Sequence, residues 1–327
     1  MQLVLLPGMK LLAGLLAASL LGFVTQPVES QIGDRTGNPA PTDQARALHS
    51  DVASARMAVA EPPAPVPAAP RSWTKTGAPN KVVLIPNDVC ESSDDFDVMV
   101  HFHGVPVTTE PIVHRANLSA VVVIVNWGIG SGAYEDKFQG EGSLCTFLDG
   151  IERSVKKACP SASGKVGRVA LSAWSAGYGA VYRILFHEKD AERVDSVLLS
   201  DGLHVGYVGY RKVNPLQMEG FTRFAERAAR GEKLFAITHS DVTPFKYAST
   251  TETAEFLLES QGVKVTKTNR PGPLPKMTLT STADKAGLHM RGFSGGTVDD
   301  HSNHLRSIGD TLWSHLRDRW SARLASR

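Results

Sequence analysis

Between residues 81 and 240, short apolar runs alternate with stretches whose apolar residues recur every three or four positions. The runs are KVVLIP (81–86), FDVMVHF (96–102), SAVVVIVNW (119–127), GRVALSA (167–173), VDSVLLSD (194–201) and KLFAITHS (233–240). Each reads as a strand, and SAVVVIVNW, almost wholly β-branched, as one buried on both faces. Leu144, Phe147, Leu148, Ile151 and Val155 mark an amphipathic helix over 141–158. Further helices are predicted from 176 to about 187 and around 215–230. STTETAEFLLESQG opens with Ser249 and Glu252 at capping-box spacing and stops at Gly262. Leu305, Ile308, Leu312, Leu316 and Trp320 predict one closing helix, in which Gly309 costs about 1 kcal/mol relative to Ala. Together these elements predict an α/β fold: a three-layer sandwich with a mostly parallel central sheet and helices on both faces. In such a sheet a site lies at the carboxyl ends of the strands.

Ahead of residue 81 the periodicity is absent. MKLLAGLLAASLLGFVTQPVES has a Lys, an apolar run and then small and polar residues, the layout of a signal peptide over 1–30, with the true start at Met9 and the mature chain from Gln31. The apolar run, 11–24, is short of the ~20 residues a membrane span takes, so no stable span is expected after cleavage. An uncleaved anchor is the alternative. Residues 31–80 include MAVAEPPAPVPAAPRSW and read as a Pro/Ala-rich disordered linker. That leaves 81–327 as one domain, exported to the periplasm, the cell surface or the medium. Export permits disulfides. Cys145 and Cys159 bracket the helix over 141–158 and stand about 21 Å apart along it, too far to pair. Any bridge joins Cys90 to one of them; three unpaired thiols are the alternative.

Composition narrows the function classes. The net charge is +2, with 42% apolar and 21% charged residues, as in ordinary globular proteins. No basic stripe supports a nucleic-acid partner, and the chain is expected to act as a monomer. GIGSG (128–132) follows a buried strand, but its spacing departs from a dinucleotide fingerprint and no helix is predicted to start there, so it reads as a loop over a cleft. His101 and His103 share a strand face, yet no third ligand stands at a comparable position, so neither a metal nor a cofactor is expected.

Ala173-Trp174-Ser175-Ala176-Gly177 joins a strand to a helix. Small residues two before and two after a Ser are what a nucleophile elbow demands, although a Ser at a helix start also serves as a cap. Upstream, HFHGVP ends a strand where acyl-transfer enzymes of this architecture hold an oxyanion-hole donor; the candidate N–H groups are those of Val105 and Ala176. Downstream, SDGLH offers Asp201, THSDVTP offers Asp241, and DDHSNHL offers His301 and His304. Trp174 reads either as part of an apolar substrate pocket or as core, and Tyr207 and Tyr210 as a modest cap.

HFHG, SAWSAGYGA, SDGLH and DHSNHL, in this order over nearly all of 81–327, resemble the α/β-hydrolase superfamily, in particular secreted bacterial members of serine esterase type. The resemblance implies a triad of Ser175, His301 and Asp201 that cleaves an ester or amide of a small-molecule or peptide-like substrate through an acyl-enzyme. Asp241 and His304 stand as the alternative acid and base. A catalytically inactive exported binding protein is the alternative function.

Overall fold

The structure is a computed structural model that describes residues 70–324. The expected signal and most of the expected linker lie outside the described residues. The elements run β1 (Trp73–Ala78), β2 (Lys81–Pro86), α1 (Asn87–Cys90), β3 (Phe96–Phe102), α2 (Pro106–Ala116), β4 (Val121–Val125), α3 (Gly132–Glu135), α4 (Ser143–Ala158) and β5 (Val166–Trp174). They continue with α5 (Tyr178–Phe186), α6 (Glu188–Arg193), β6 (Ser196–Ser200), α7 (Pro215–Ala229), β7 (Leu234–His239) and α8 (Thr250–Ser260). The last are β8 (Thr266–Pro271), β9 (Thr278–Lys285), β10 (Leu288–Phe293), α9 (Val298–Arg306), α10 (Ile308–Thr311) and α11 (Trp313–Leu324).

The strands form a single sheet in the order β1-β2-β4-β3-β5-β6-β7-β10-β9-β8. From β4 to β10 neighbouring strands are parallel. The pairs outside this block, β1–β2–β4 and β10–β9–β8, are antiparallel. From β3 the chain passes to β4 on one side, then returns to β5 on the other. This reversal opens a crevice beyond the carboxyl ends of β3 and β5.

Successive side chains of the central strands enter two separate cores. Val83, Val98, Val100, Val123 and Leu171 pack with Leu148, Ile151 and Ile184 from α4 and α5. Val82, Met99, Val122, Ile124 and Ala170 pack with Ile112 of α2, Ile308 of α10 and Trp313 of α11. Burial on both faces is why these strands read as continuous apolar runs.

Several expectations need correction. Trp73–Ala78, inside the expected linker, is an edge strand with Trp73 opposite Pro86; its half-exposed Thr-Lys-Thr run lacks the apolar signature of the central strands. Helix α2 follows HFHGVP directly. It starts with Pro106 at its first turn and buries Thr109, Ile112, Val113 and Ala116, while Pro111 and the Thr pair mask its periodicity. A short helix, α3, does start in GIGSG. Strands β8 to β10 lie outside the predicted elements: β8 is polar and largely exposed, and β9 is polar and mostly half-buried; Lys267 and Pro271 suit β8 to the sheet edge. The single closing helix is three, α9 to α11. Gly309 lies where α10 meets α2, and a Cβ there would come within 3.0 Å of Ile112 Cγ2.

Cys90 and Cys159 form a disulfide, with Cα atoms 4.9 Å apart. Cys145 is exposed and free. The bridge ties α1 to the end of α4.

Candidate active site

β5 delivers Ser175 to the crevice. Trp174 is still extended, at φ −113° and ψ 141°, and Ser175 then turns to φ 48° before a single 3-10 turn enters α5. A left-handed, non-glycine residue is rare and strained, and persists where its surroundings over-determine it. Two glycines do so here. A Cβ on Gly177 would strike the carbonyl of Phe102 at the end of β3, so the incoming helix must pass with no side chain. Gly202, after β6, packs on Ser175 itself: a Cβ there would strike the Ser175 carbonyl and come 2.7 Å from its nitrogen. Gly202 was missed in the sequence, since only the fold brings it to the elbow.

Asp201 follows β6, also at positive φ (42°), with only 1% of its surface exposed. Its Oδ1 accepts from Ser240 N (2.9 Å) and Thr250 Oγ1 (2.7 Å); its Oδ2 accepts from Ser240 Oγ (2.8 Å) and lies 2.6 Å from His301 Nδ1. Burial alone would raise its pKa, but the bonds from His301 and Thr250 and the nearby His304 hold the carboxyl well below the usual carboxylate range. An ionised carboxylate only accepts. The His301 Nδ1 proton therefore points at Asp201, and in the neutral ring the Nε2 lone pair is left free.

His301 lies on α9, whose start is fixed by a capping box between Thr297 and Asp300. Its ring stacks on Trp174, centroids 4.9 Å apart, and its carbonyl accepts from Trp174 Nε1 at 3.1 Å. Thus the residue before Ser175, the imidazole of His301 and the carboxylate of Asp201 are in direct contact.

The alternatives are engaged elsewhere. Asp241 is exposed, and pairs with Gly295 in both directions: its Oδ2 accepts from Gly295 N (3.1 Å) and its N donates to Gly295 O (3.0 Å). His304, one turn after His301 on α9, is buried with Nδ1 2.8 Å from Thr238 Oγ1 and its ring edge-on to Phe293. Burial lowers its pKa.

His101 and His103 do not act on a common point. His101 is fully buried, with Nδ1 2.9 Å from Ser172 Oγ and its ring against Trp313, and burial followed by the nearby His103 lowers its pKa to about 3. His103 has left the strand at φ 67° and stacks on Trp174. Among the described residues no group of three or more His, Cys, Asp or Glu gathers as a metal site would require.

Ser175 and Ala176 line a cavity of about 450 Å³ with Ser131, Glu135, Tyr178, Gln217 and Tyr247. Val105 is not brought there. It heads α2, with its carbonyl taken by Thr108 and Thr109, and lines a separate cavity of about 250 Å³ beside His103 and Trp174.

A left-handed Ser between strand and helix, then an acid just past the next strand, then a His on a helix after the last strand, follow the chain order of the α/β-hydrolase architecture. The fold is α/β-hydrolase-like.

No family model matches this chain, and no curated protein does. Similar solved structures include an uncharacterised protein from Capnocytophaga ochracea, at 10% identity and TM-score 0.43, over 74% of this chain and 64% of that one. The chain thus spans less than two thirds of that protein. Est1E from Butyrivibrio proteoclasticus has 9% identity and TM-score 0.38 over 77% and 100% of the two chains. An esterase described as cold-adapted, from an Arctic intertidal metagenomic library, has 13% identity and TM-score 0.36 over 74% and 99%.

Proposed function

We propose that this protein is a serine hydrolase of carboxylesterase type, built on the three-layer α/β-hydrolase plan. Ser175 attacks the acyl carbonyl, His301 Nε2 takes its proton and returns it to the leaving group, and Asp201 holds the imidazole in the required tautomer. The N–H of Ala176 donates to the developing oxyanion. Water then releases the acyl group by the same route.

The observation that carries this reading is the 2.6 Å contact of His301 Nδ1 with the buried Asp201 carboxylate, on a ring that rests against the residue preceding a left-handed Ser. The substrate is a small ester; the 450 Å³ cavity beside Ser175 is of the size that holds small ligands. We further propose that the chain is exported, on the strength of the apolar run at its N-terminus.

Labelling with a fluorophosphonate probe tests the reading. The wild-type protein is expected to react covalently and Ser175→Ala not to react. Folded wild-type protein that neither labels nor hydrolyses nitrophenyl esters would instead favour the inactive binding module.

A further inference from the structure

We propose that Trp174 and His103 are positioning residues that hold the plane of the His301 imidazole in register with Ser175, a role that rests on the serine-hydrolase reading above. Two ring stacks share Trp174. His103 lies on Trp174, centroids 5.1 Å apart and planes 15° from parallel, and Trp174 lies on His301 at 4.9 Å and 29°.

Each contact on His301 removes a different freedom. The bond from Trp174 Nε1 to the His301 carbonyl, 3.1 Å, fixes the main chain from which the ring projects. The Asp201 contact holds Nδ1 at one point. A single-atom contact still lets the ring swing about that point, which would carry Nε2 away from the nucleophile. The flat face of Trp174 blocks this swing. Trp174 is also one peptide bond from Ser175, so any displacement of the end of β5 moves the nucleophile and the surface under its base together.

His103 backs this surface and is itself tightly held. Its N donates to Val125 O at 2.8 Å, its Nδ1 is 2.8 Å from Tyr134 Oη, and its ring meets the Tyr134 ring edge-on. Tyr134 is fully buried, and its hydroxyl also accepts from Trp127 N at 3.2 Å and lies 3.1 Å from Gly128 O. His103 pays for this placement with left-handed backbone at φ 67°, a conformation that persists only where neighbours over-determine it. Burial lowers its pKa, the Gly128 carbonyl opposes this, and the nearby His301 lowers it further. His103 is thus kept neutral and adds no like charge when His301 takes a proton.

The test compares wild type, Trp174→Phe, Trp174→Leu, His103→Leu and Ser175→Ala in the full chain. Two readouts are taken: kcat and KM on a nitrophenyl ester, and the low-field proton resonance of the His301–Asp201 bond. Phe keeps an aromatic face and loses the indole N–H, so kcat is expected to fall roughly fivefold. Leu loses both, and kcat is expected to fall on the order of 100-fold with KM within about twofold, while the low-field proton broadens by exchange with water. His103→Leu removes the outer ring without altering the elbow, and is expected to shift both readouts in the same direction by less; it carries the test if Trp174→Leu does not fold. Trp174→Leu, or His103→Leu in its place, with wild-type kcat and an unchanged low-field proton overturns the proposal. Failure of the hydrolase reading looks different: Ser175→Ala would then hydrolyse the ester like wild type, whatever the proton signal does.

Discussion

Gly202 packs directly on the backbone of Ser175, so closely that a Cβ would strike the Ser175 carbonyl and stand 2.7 Å from its nitrogen. The neighbours of this point are main chain and cannot rotate away. Gly202→Ala must therefore displace either the elbow or the turn bearing Asp201. A loss of about 1–3 kcal/mol of stability is expected, together with at least a 100-fold fall in kcat/KM, because the displaced groups are the reacting ones. Urea unfolding and ester hydrolysis on the same preparation check this. An alanine variant with wild-type stability and activity would show that the contact relaxes without consequence.

The two acids at successive strand ends predict different variants. In Asp201→Asn an amide replaces the acceptor facing His301 Nδ1, the other imidazole tautomer is favoured, and kcat is expected to fall about 10³–10⁴-fold. Asp241→Asn weakens only the tie to Gly295 in the loop ahead of α9, and a loss below about tenfold is expected. Steady-state rates of both variants decide between them. A reversed order would make Asp241 the working acid.

This pair shows what the sequence could and could not disclose. Both aspartates stand just past apolar runs. They differ in a backbone rotation that sends Asp201 inward at φ 42° towards Ser240, Thr250 and His301. No local pattern encodes that. The central strands were legible because burial on both faces leaves long apolar runs, and the elbow because Ser175 needs Gly177 two residues later. The capping boxes at Ser249 and Thr297 are both formed, although only the first was read in advance. Gly202 and the Trp174–His301 stack were not legible, since each joins residues far apart in the chain.

The Cys90–Cys159 bridge closes a loop with a sequence separation of 69. By chain entropy such a loop contributes about 4 kcal/mol. Reduction, or the Cys90→Ala/Cys159→Ala pair, is expected to lower the urea midpoint accordingly, while Cys145 reacts with a thiol reagent without prior reduction. An unchanged midpoint, with denatured wild type showing one reactive thiol before reduction and three after it, would show that the unfolded chain is not constrained by the link.

Acid should destabilise the fold well before its carboxylates are neutralised. Burial, followed by the nearby His103, holds His101 at about 3, and burial holds His239 at about 4 against the pull of Asp201. Unfolded, both titrate near ~6.5. A group whose folded pKa is depressed stabilises the fold fully above its unfolded value and loses that contribution as pH falls towards the folded one. Between pH 6 and 4.5 the unfolded chain therefore binds protons that the folded chain refuses at these two sites and at His315, which burial and the nearby His289 also hold at about 4, and stability falls by about 1.4 kcal/mol per pH unit for each. Asp201 acts in the same direction at lower pH: its contribution is whole above the usual carboxylate range and declines below it. Urea midpoints at pH 7, 6, 5 and 4.5 measure the slope, and His101→Leu, where it folds, is expected to remove about a third of it. A midpoint constant across this range would mean that both imidazoles are protonated in the folded protein, with charge buried under β3 and beside Thr251.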